Sequence, residues 1–118
     1  MGRHIEHEIQ CKIVGDLRKM GFIPVAVPNG AMLAGTEEQR QRRAGILKRE
    51  GMLPGFPDLI VFARGGRVGL FEVKAPKGRL QKNQIAVASE LAAYGTPYAV
   101  VRHTDDVLAA LAEWGWVS

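Results

Sequence analysis

Two acidic residues and one lysine stand at the ends of apolar segments near the middle of this chain. Asp58 opens the run LIVF, and Glu72 and Lys74 lie near the end of a second apolar run. Two carboxylates brought close together raise each other's pKa unless a cation compensates them, and carboxylate oxygens suit Mg²⁺ or Mn²⁺. Lys74 would then orient or help deprotonate an attacking water and stabilise charge on a phosphate. Taken singly, Pro57–Asp58 is also typical of a strand entry, and Glu72 with Lys74 of a solvated ion pair. Their combination favours metal-assisted hydrolysis of a phosphate ester.

Two neighbouring strands would bring these three residues together. Residues 58–63 (DLIVFA) and 67–74 (RVGLFEVK) have strand composition, and the RGGR between them supplies the glycines of a tight hairpin turn. Side chains two positions apart share one face of a strand, so Glu72 and Lys74 point the same way. Because Asp58 begins the adjacent strand, the hairpin predicts that all three side chains converge.

The other segments complete a single α/β domain. Hydrophobic spacing and Gly or Pro boundaries predict a helix over 4–20, a strand over 22–28, a helix over 80–95, a strand over 97–102 and a helix over 104–115. Residues 29–57 carry mixed charges, which predicts a mobile or partly helical excursion. At 118 residues the chain is expected to form one domain, residues 1–118.

Apolar spacing also predicts which helical positions face the core. In the first helix these positions are Ile9, Ile13, Leu17 and Met20. In the helix over 80–95 they are Ile85, Ala88, Leu91 and Ala92. Thr104 is the predicted N-cap of the last helix, and Trp114 and Trp116 are predicted core or interface anchors.

Composition excludes several classes of protein. The apolar fraction of 47% with 24% charged residues is typical of a globular chain, and no apolar run is long enough to span a bilayer. The charged N-terminus and the single Cys11 favour a cytoplasmic protein. A net charge of +4 favours an anionic partner, with nucleic acid as one candidate.

The motif residues carry a family resemblance. The segments GFPDLIVF and GLFEVKAPKGRL, followed by Gln84 at the opening of a helix, resemble the VRR-NUC branch of the PD-(D/E)xK nucleases. The resemblance implies a restriction-endonuclease-like αβββαβ core, with a mixed central sheet flanked by helices, and Mg²⁺- or Mn²⁺-dependent phosphodiester cleavage. It further implies that Asp58, Glu72 and the backbone carbonyl of Val73 bind the metal. Lys74 would be the catalytic lysine, and Gln84 the family glutamine near the site.

The family also uses a glutamate from the first helix, and this chain offers Glu6 and Glu8. At 100° per residue Glu6 lies within the apolar stripe of the helix, with Gln10 one turn later, whereas Glu8 faces the opposite side. The spacing of Glu6 and Gln10 also resembles the family signature. Glu6 is therefore the preferred residue, and Glu8 remains the alternative.

Basic residues form two candidate DNA-binding groups. Lys77, Arg79 and Lys82 lie in the loop that follows Lys74 and are expected to overhang the site. The second group is Arg42, Arg43 and Lys48, whose segment is interpreted equally well as a DNA-phosphate contact or as a solvated face.

Two functions from different classes follow from this pattern. The first is a structure-selective DNA endonuclease, and the second is a non-catalytic nucleic-acid-binding or assembly module that retains the fold. The resemblance is to stand-alone phage and bacterial proteins, which implies a homodimer acting on branched DNA such as four-way (Holliday) junctions in a host cytoplasm. The expected dimer interface is the segment from Ala31 to Leu53, which carries Met32, Leu33 and Ile46. The same segment could instead fold back on its own sheet.

Overall fold

The fold is taken from a computed structural model, which describes residues 2–28 and 35–118 and the side chains from Ile5 onward. The elements in chain order are α1 (Gly2–Lys19), β1 (Ile23–Ala26), α2 (Glu37–Arg49), β2 (Leu59–Ala63), β3 (Arg67–Val73), α3 (Lys82–Ala93), β4 (Tyr98–Val101) and α4 (Thr104–Glu113). The predicted helices and strands are all present, with ends shifted by a few residues. The main addition is α2, which lies in the segment predicted to be partly helical.

The described strands form one mixed four-stranded sheet in the order β1-β2-β3-β4. The pairs β1–β2 and β2–β3 are antiparallel, and β3–β4 is parallel, so β3 lies inside the sheet. The predicted hairpin between β2 and β3 is confirmed, with Gly65 and Gly66 at positive φ in its turn. Four helices and one mixed sheet, within the described residues, confirm the expected α/β class.

The hydrophobic core lies on the sheet face that α1 and α4 cover. Ile13 and Leu17 of α1 and Leu111 of α4 pack with Phe71 of β3, and each of the four is almost completely buried. Trp114 stacks on Phe71 with ring centroids 5.1 Å apart, which confirms its predicted anchoring role. This core fixes β3 rigidly, and β3 carries two of the predicted site residues.

The predicted cap of α4 is wrong by one residue. His103 is the N-cap, and its ring Nδ1 accepts a hydrogen bond from the backbone N–H of Asp105 at 3.1 Å. Thr104 is the first helical residue, and its hydroxyl instead donates to Asp16 of α1 at 2.8 Å. The threonine was a plausible cap by residue type, but its long-range bond to α1 takes the hydroxyl away from the helix end.

The predicted inward face of α3 is also rotated. Val87 is the buried residue of α3, whereas Ile85 is 54% exposed and Ala92 is exposed. Ala88 and Leu91 are partly buried as predicted, but the inward side continues through Gln84 and Val87 rather than through Ile85 and Ala92. Because polar Gln84 begins the inward side of α3, apolar spacing alone predicts the wrong side of this helix. In α1 the inward prediction holds for Ile9, Ile13 and Leu17 but fails at Met20, which follows the helix and is 38% exposed.

Helix α2 stands apart from the rest of the described chain. Thr36 caps it, since the Thr36 hydroxyl accepts from the backbone N–H of Gln39 at 3.2 Å. Within residues 2–28 and 35–118, α2 packs against no other helix or strand and buries none of its residues. It therefore does not fold back onto its own sheet, and Ile46 stays 47% exposed. Met32 and Leu33, which the sequence placed in the same interface, lie outside the described residues.

Candidate active site

Asp58 is held against β3 by a backbone hydrogen bond. Its Oδ2 accepts from the N–H of Val73 at 2.8 Å. Leu59 pairs with Phe71, so the next position of the same antiparallel register sets Asp58 opposite Glu72. The Asp58 carbonyl also accepts from the N–H of Val27 at 2.8 Å, which ties the start of β2 to the chain beyond β1. The predicted convergence of Asp58 and Glu72 is therefore present.

Glu72 is a buried acid with an incomplete hydrogen-bond shell. Its side chain is almost fully buried, and Oε2 accepts from the Gln84 amide at 3.2 Å and lies 4.0 Å from the Lys74 ammonium nitrogen. Its other oxygen, Oε1, is buried and has no hydrogen-bond partner among the described residues. A buried polar atom without a partner is costly, so it points to a ligand that completes the shell.

The electrostatic surroundings of Glu72 favour its neutral form. Burial is the largest cause, and the charge of the facing Asp58 adds to it, so the pKa of Glu72 rises to about 8. Lys74 opposes this shift, and Glu6 adds slightly to it. When both Asp58 and Glu72 are ionised, they and the Lys74 ammonium carry a net charge of −1, so a bound divalent cation would stabilise the ionised form of Glu72.

Gln84 is oriented by two hydrogen bonds at the start of α3. Its Oε1 accepts from the backbone N–H of Gln81 at 2.8 Å, while its Nε2 donates to Glu72. The loop before β2 reaches this helix end closely, because a Cβ on Gly55 would lie 2.6 Å from the carbonyl carbon of Asn83. Gly55, at φ +87°, thus permits the approach that sets Gln84 beside the acids.

Lys74 follows β3 and is buried along its stem. The residue is 7% exposed, and its backbone N–H donates to the carbonyl of Val101 at 3.0 Å. This hydrogen bond continues the parallel pairing with β4 one residue past the strand. The ammonium group is therefore held in place at the acids, where a flexible surface lysine would not stay.

The two helix glutamates differ in their surroundings. Glu6 is half-buried and close enough to Glu72 for its charge to act on that pKa. Glu8 is exposed on α1. This placement supports the sequence-based preference for Glu6, whose role in catalysis stays a prediction.

The donor set fits a divalent cation that keeps part of its water shell. Asp58 and Glu72 supply carboxylate oxygens, one of them unpartnered, and no group of three His, Cys, Asp or Glu side chains poised for a metal occurs within the described chain. Two carboxylates with water are sufficient for Mg²⁺ or Mn²⁺, whereas zinc sites use three or four protein ligands. The predicted part of the Val73 carbonyl remains a prediction.

Comparison with models of protein families assigns the chain to a family. Residues 24–105 match the VRR-NUC domain, which is more than half of the sequence. The chain belongs to the VRR-NUC family. The match contains Asp58, Glu72, Lys74 and Gln84, while Glu6 lies outside it. No curated protein and no solved structure gives a significant match.

Family membership supports a nuclease, a hydrolase with DNA as its substrate. No helix of the described residues is long and apolar enough to cross a membrane.

The basic residues of this VRR-NUC domain fall into two places. Lys77, Arg79 and Lys82 are exposed on the loop after β3 and at the start of α3, and Lys77 lines a pocket together with Glu6. Arg42, Arg43 and Lys48 are exposed on α2, which is not packed against the sheet. The structure therefore places Lys77 in the pocket that Glu6 lines and Lys82 two residues before Gln84, while the second group lies on a helix that contacts no other element of the described chain.

Tyr98 is a neighbour of the VRR-NUC acids that the sequence did not single out. It opens β4 opposite Leu70, on the same sheet face as Glu72. Burial, followed by the charges of Glu72 and Asp58, raises the pKa of Tyr98 to about 12. Its phenol is therefore a neutral hydroxyl beside the acids at physiological pH. Only strand alternation and the parallel register with β3 could have indicated this position.

Proposed function

We propose that this VRR-NUC protein is a divalent-metal-dependent, structure-selective DNA endonuclease of the PD-(D/E)xK type. Its substrate would be branched DNA such as four-way junctions. The observation that carries the proposal is the convergence of Asp58, Glu72 and Lys74, with one buried oxygen of Glu72 left without a partner in the described chain. The preference for branched DNA rests on the resemblance to stand-alone VRR-NUC nucleases.

The residues divide the chemistry among themselves. Asp58 and Glu72 would hold Mg²⁺ or Mn²⁺, which when bound supplies positive charge that polarises the phosphate and the attacking water. Lys74 orients that water and stabilises the negative charge that develops on the attacked phosphate. Gln84 fixes the direction of the Glu72 carboxylate. Glu6, which is half-buried at the edge of the site, would accept a hydrogen bond from a water there.

A non-catalytic DNA-binding module fits the same residues less well. Phosphate is repelled by buried carboxylates unless a cation lies between them, so a pure binder would lose affinity by keeping Asp58 and Glu72. The exposed Lys77, Arg79 and Lys82 would serve either function, because phosphate contacts position DNA without reading its sequence.

A second part of the proposal concerns assembly. We infer that two copies act together, since a symmetric pair matches the two strands cut at a four-way junction. Support comes from α2, which exposes Ile46 and packs on no other element of the described chain. The net charge of +4 would double on pairing and strengthen attraction to DNA.

Cleavage assays test this function directly. Purified protein is incubated with Mg²⁺, Mn²⁺ or EDTA and with linear duplex, flap and four-way substrates of equal length. We expect metal-dependent cuts, fastest near the branch point, and none with EDTA. Folded protein that binds these DNAs but cuts none of them with either metal would establish the binding module instead.

A further inference from the structure

A pocket of about 460 Å³ lies beside the acids, and apart from Glu6 the residues of its lining take no part in the hydrolysis proposed above. It is lined by Ile5, Glu6, Ala75, Pro76, Lys77 and Gly78. Glu6 belongs both to this pocket and to the surroundings of Glu72, and Ala75 directly follows Lys74. The pocket is therefore adjacent to the place where a phosphate would be attacked. Its volume is in the range of protein sites for small ligands.

The loop that forms one wall of the pocket is held rigidly. The backbone N–H of Gly78 donates to the carbonyl of Ala75 at 2.9 Å, closing a turn. Arg102, beyond the end of β4, donates from Nη2 to the carbonyl of Gly78 at 2.8 Å. Ala75 itself is 8% exposed. The wall is therefore formed before any ligand arrives, which lowers the entropy cost of binding.

The lining selects a flat, uncharged ring over an anion. Ile5, Ala75 and Pro76 give apolar contact surface. The charged members are one acid, Glu6, and one base, Lys77, whose charges cancel. A phosphate would need several cations or N–H donors and would be repelled by Glu6. A nucleobase suits these walls, since its faces are apolar and its edge can hydrogen-bond to the two charged groups.

We propose that this pocket receives the base of a nucleotide next to the cleaved phosphate, and that the base must be unpaired to enter. The inference rests on the proposed nuclease function and adds a source of substrate selectivity to it. A base in intact duplex must first leave its stack, and the free-energy cost of this step is smallest where the base is already unpaired. The pocket thus favours branch points and single strands over perfect duplex.

Binding of short single strands tests the pocket without relying on cleavage. Two ligands are compared: the thymidine pentamer dT₅ and a pentamer of abasic tetrahydrofuran units that has the same phosphates. Affinity and methyl resonances are measured on Lys74→Ala protein with methyl-labelled isoleucines, a variant expected not to cut either ligand. We expect dT₅ to bind about tenfold more tightly and to shift the Ile5 methyl resonance. The methyl of Ile23, exposed on β1, serves as the internal control and should not move. Equal affinities with an unmoved Ile5 signal would overturn the inference.

A pocket-filling variant links binding to substrate choice. Ile5→Trp occupies the pocket, and Leu108→Trp adds the same bulk on α4, where Leu108 is 41% exposed. We expect Ile5→Trp to remove the preference for dT₅ over the abasic pentamer and Leu108→Trp to keep it. If Ile5→Trp still prefers dT₅ over the abasic pentamer, the base does not bind in this pocket.

Cleavage then separates this inference from the proposed function. A branched substrate carries one abasic unit at each flanking position in turn. If an abasic unit at one position reduces cutting by the wild type, and the same unit causes no further reduction in Ile5→Trp, the pocket is supported. Normal cutting at every abasic position overturns the pocket and leaves the nuclease intact. A shifted Ile5 resonance with no cutting of any substrate keeps the pocket and rejects the nuclease.

Discussion

The Asp58 carboxylate accepts a hydrogen bond from the backbone N–H of Val73 at 2.8 Å, and this bond couples the two halves of the motif. Val73 lies between Glu72 and Lys74, so the aspartate is tied to the same strand segment that presents the other two side chains. The bond has a structural and a catalytic consequence. The bond orients Asp58 toward Glu72. It also stabilises the fold, and substitutions can test this effect separately from the effect of the negative charge.

Substitutions at Asp58 test that separation. Asn keeps an oxygen that can accept from Val73, whereas Ala leaves the N–H unpartnered, so Asp58→Ala should destabilise the fold by about 1 kcal/mol more than Asp58→Asn. Both variants lose the negative charge, and both should reduce cleavage by roughly a hundredfold or more. Urea unfolding and junction cleavage measure the two effects. Full activity in either variant, or in Glu72→Ala, would remove Asp58 and Glu72 from catalysis.

The first-helix glutamates give a matched pair. Glu6 is half-buried near Glu72 and lines the pocket, while Glu8 is exposed. Glu6→Gln should lower cleavage strongly, and Glu8→Gln by less than about threefold, because an exposed acid rarely changes a barrier by more than about 0.6 kcal/mol. Rates under saturating Mg²⁺ compare the two. The reverse order would show that Glu8 is the acid used in the reaction.

The pH dependence of stability should reveal Glu72. Its folded pKa of about 8 lies above its ordinary value of 4.5, so the folded protein holds the proton more tightly than the unfolded chain. This tighter proton binding adds to the free energy of unfolding. The added stability is fully present below about pH 4.5 and is lost as pH rises through about 8. The metal-free protein should therefore lose free energy of unfolding between these limits. Asp58, Lys74, Glu6 and Tyr98 are the charged or titratable groups near Glu72.

The control for this titration is Glu72→Gln, which has similar shape and no proton to lose. Urea unfolding of both proteins at several pH values isolates Glu72 by difference. We expect the free energy of the wild type to fall relative to Glu72→Gln as pH rises toward 8. Parallel curves would mean that Glu72 is ionised at ordinary pH and that its surroundings do not raise its pKa.

Much of the site could be predicted because a hairpin fixes it. Strand alternation and one tight turn determine where Asp58, Glu72 and Lys74 lie relative to each other, and β2 and β3 confirm this arrangement. Gln84 was found through the family resemblance. Its polar character hid the true inward side of α3, because hydrophobic spacing counts only apolar residues.

Other features depend on contacts between distant segments, which local patterns do not encode. Thr104 bonds to Asp16 across the fold, and Tyr98 reaches the acids only through the parallel pairing of β3 with β4. The pocket joins the start of α1 to the loop after β3. Each of these requires the tertiary arrangement, so local residue patterns carry no signal for the Thr104–Asp16 bond or for the pocket.

Self-association through α2 is the last prediction. Ile46 is 47% exposed on a helix that packs against no other element of the described chain, and such a residue can gain burial in a second copy. We expect a dimer at tens of micromolar, and Ile46→Ser should weaken it by tenfold or more, as a buried interface anchor would. Leu108→Ser, at a similarly exposed leucine on α4, should leave the dimer unchanged.

Sedimentation velocity at several concentrations, with and without a four-way junction, measures this association alongside cleavage. If pairing is needed for paired cuts, Ile46→Ser should reduce junction cutting at low protein concentration and recover it at high concentration, because mass action restores the dimer. A wild-type protein that stays monomeric with junction bound, yet still cuts, would refute the dimer. Dimers of unchanged strength in Ile46→Ser would place the interface away from α2, since losing the interface residue must weaken the pair.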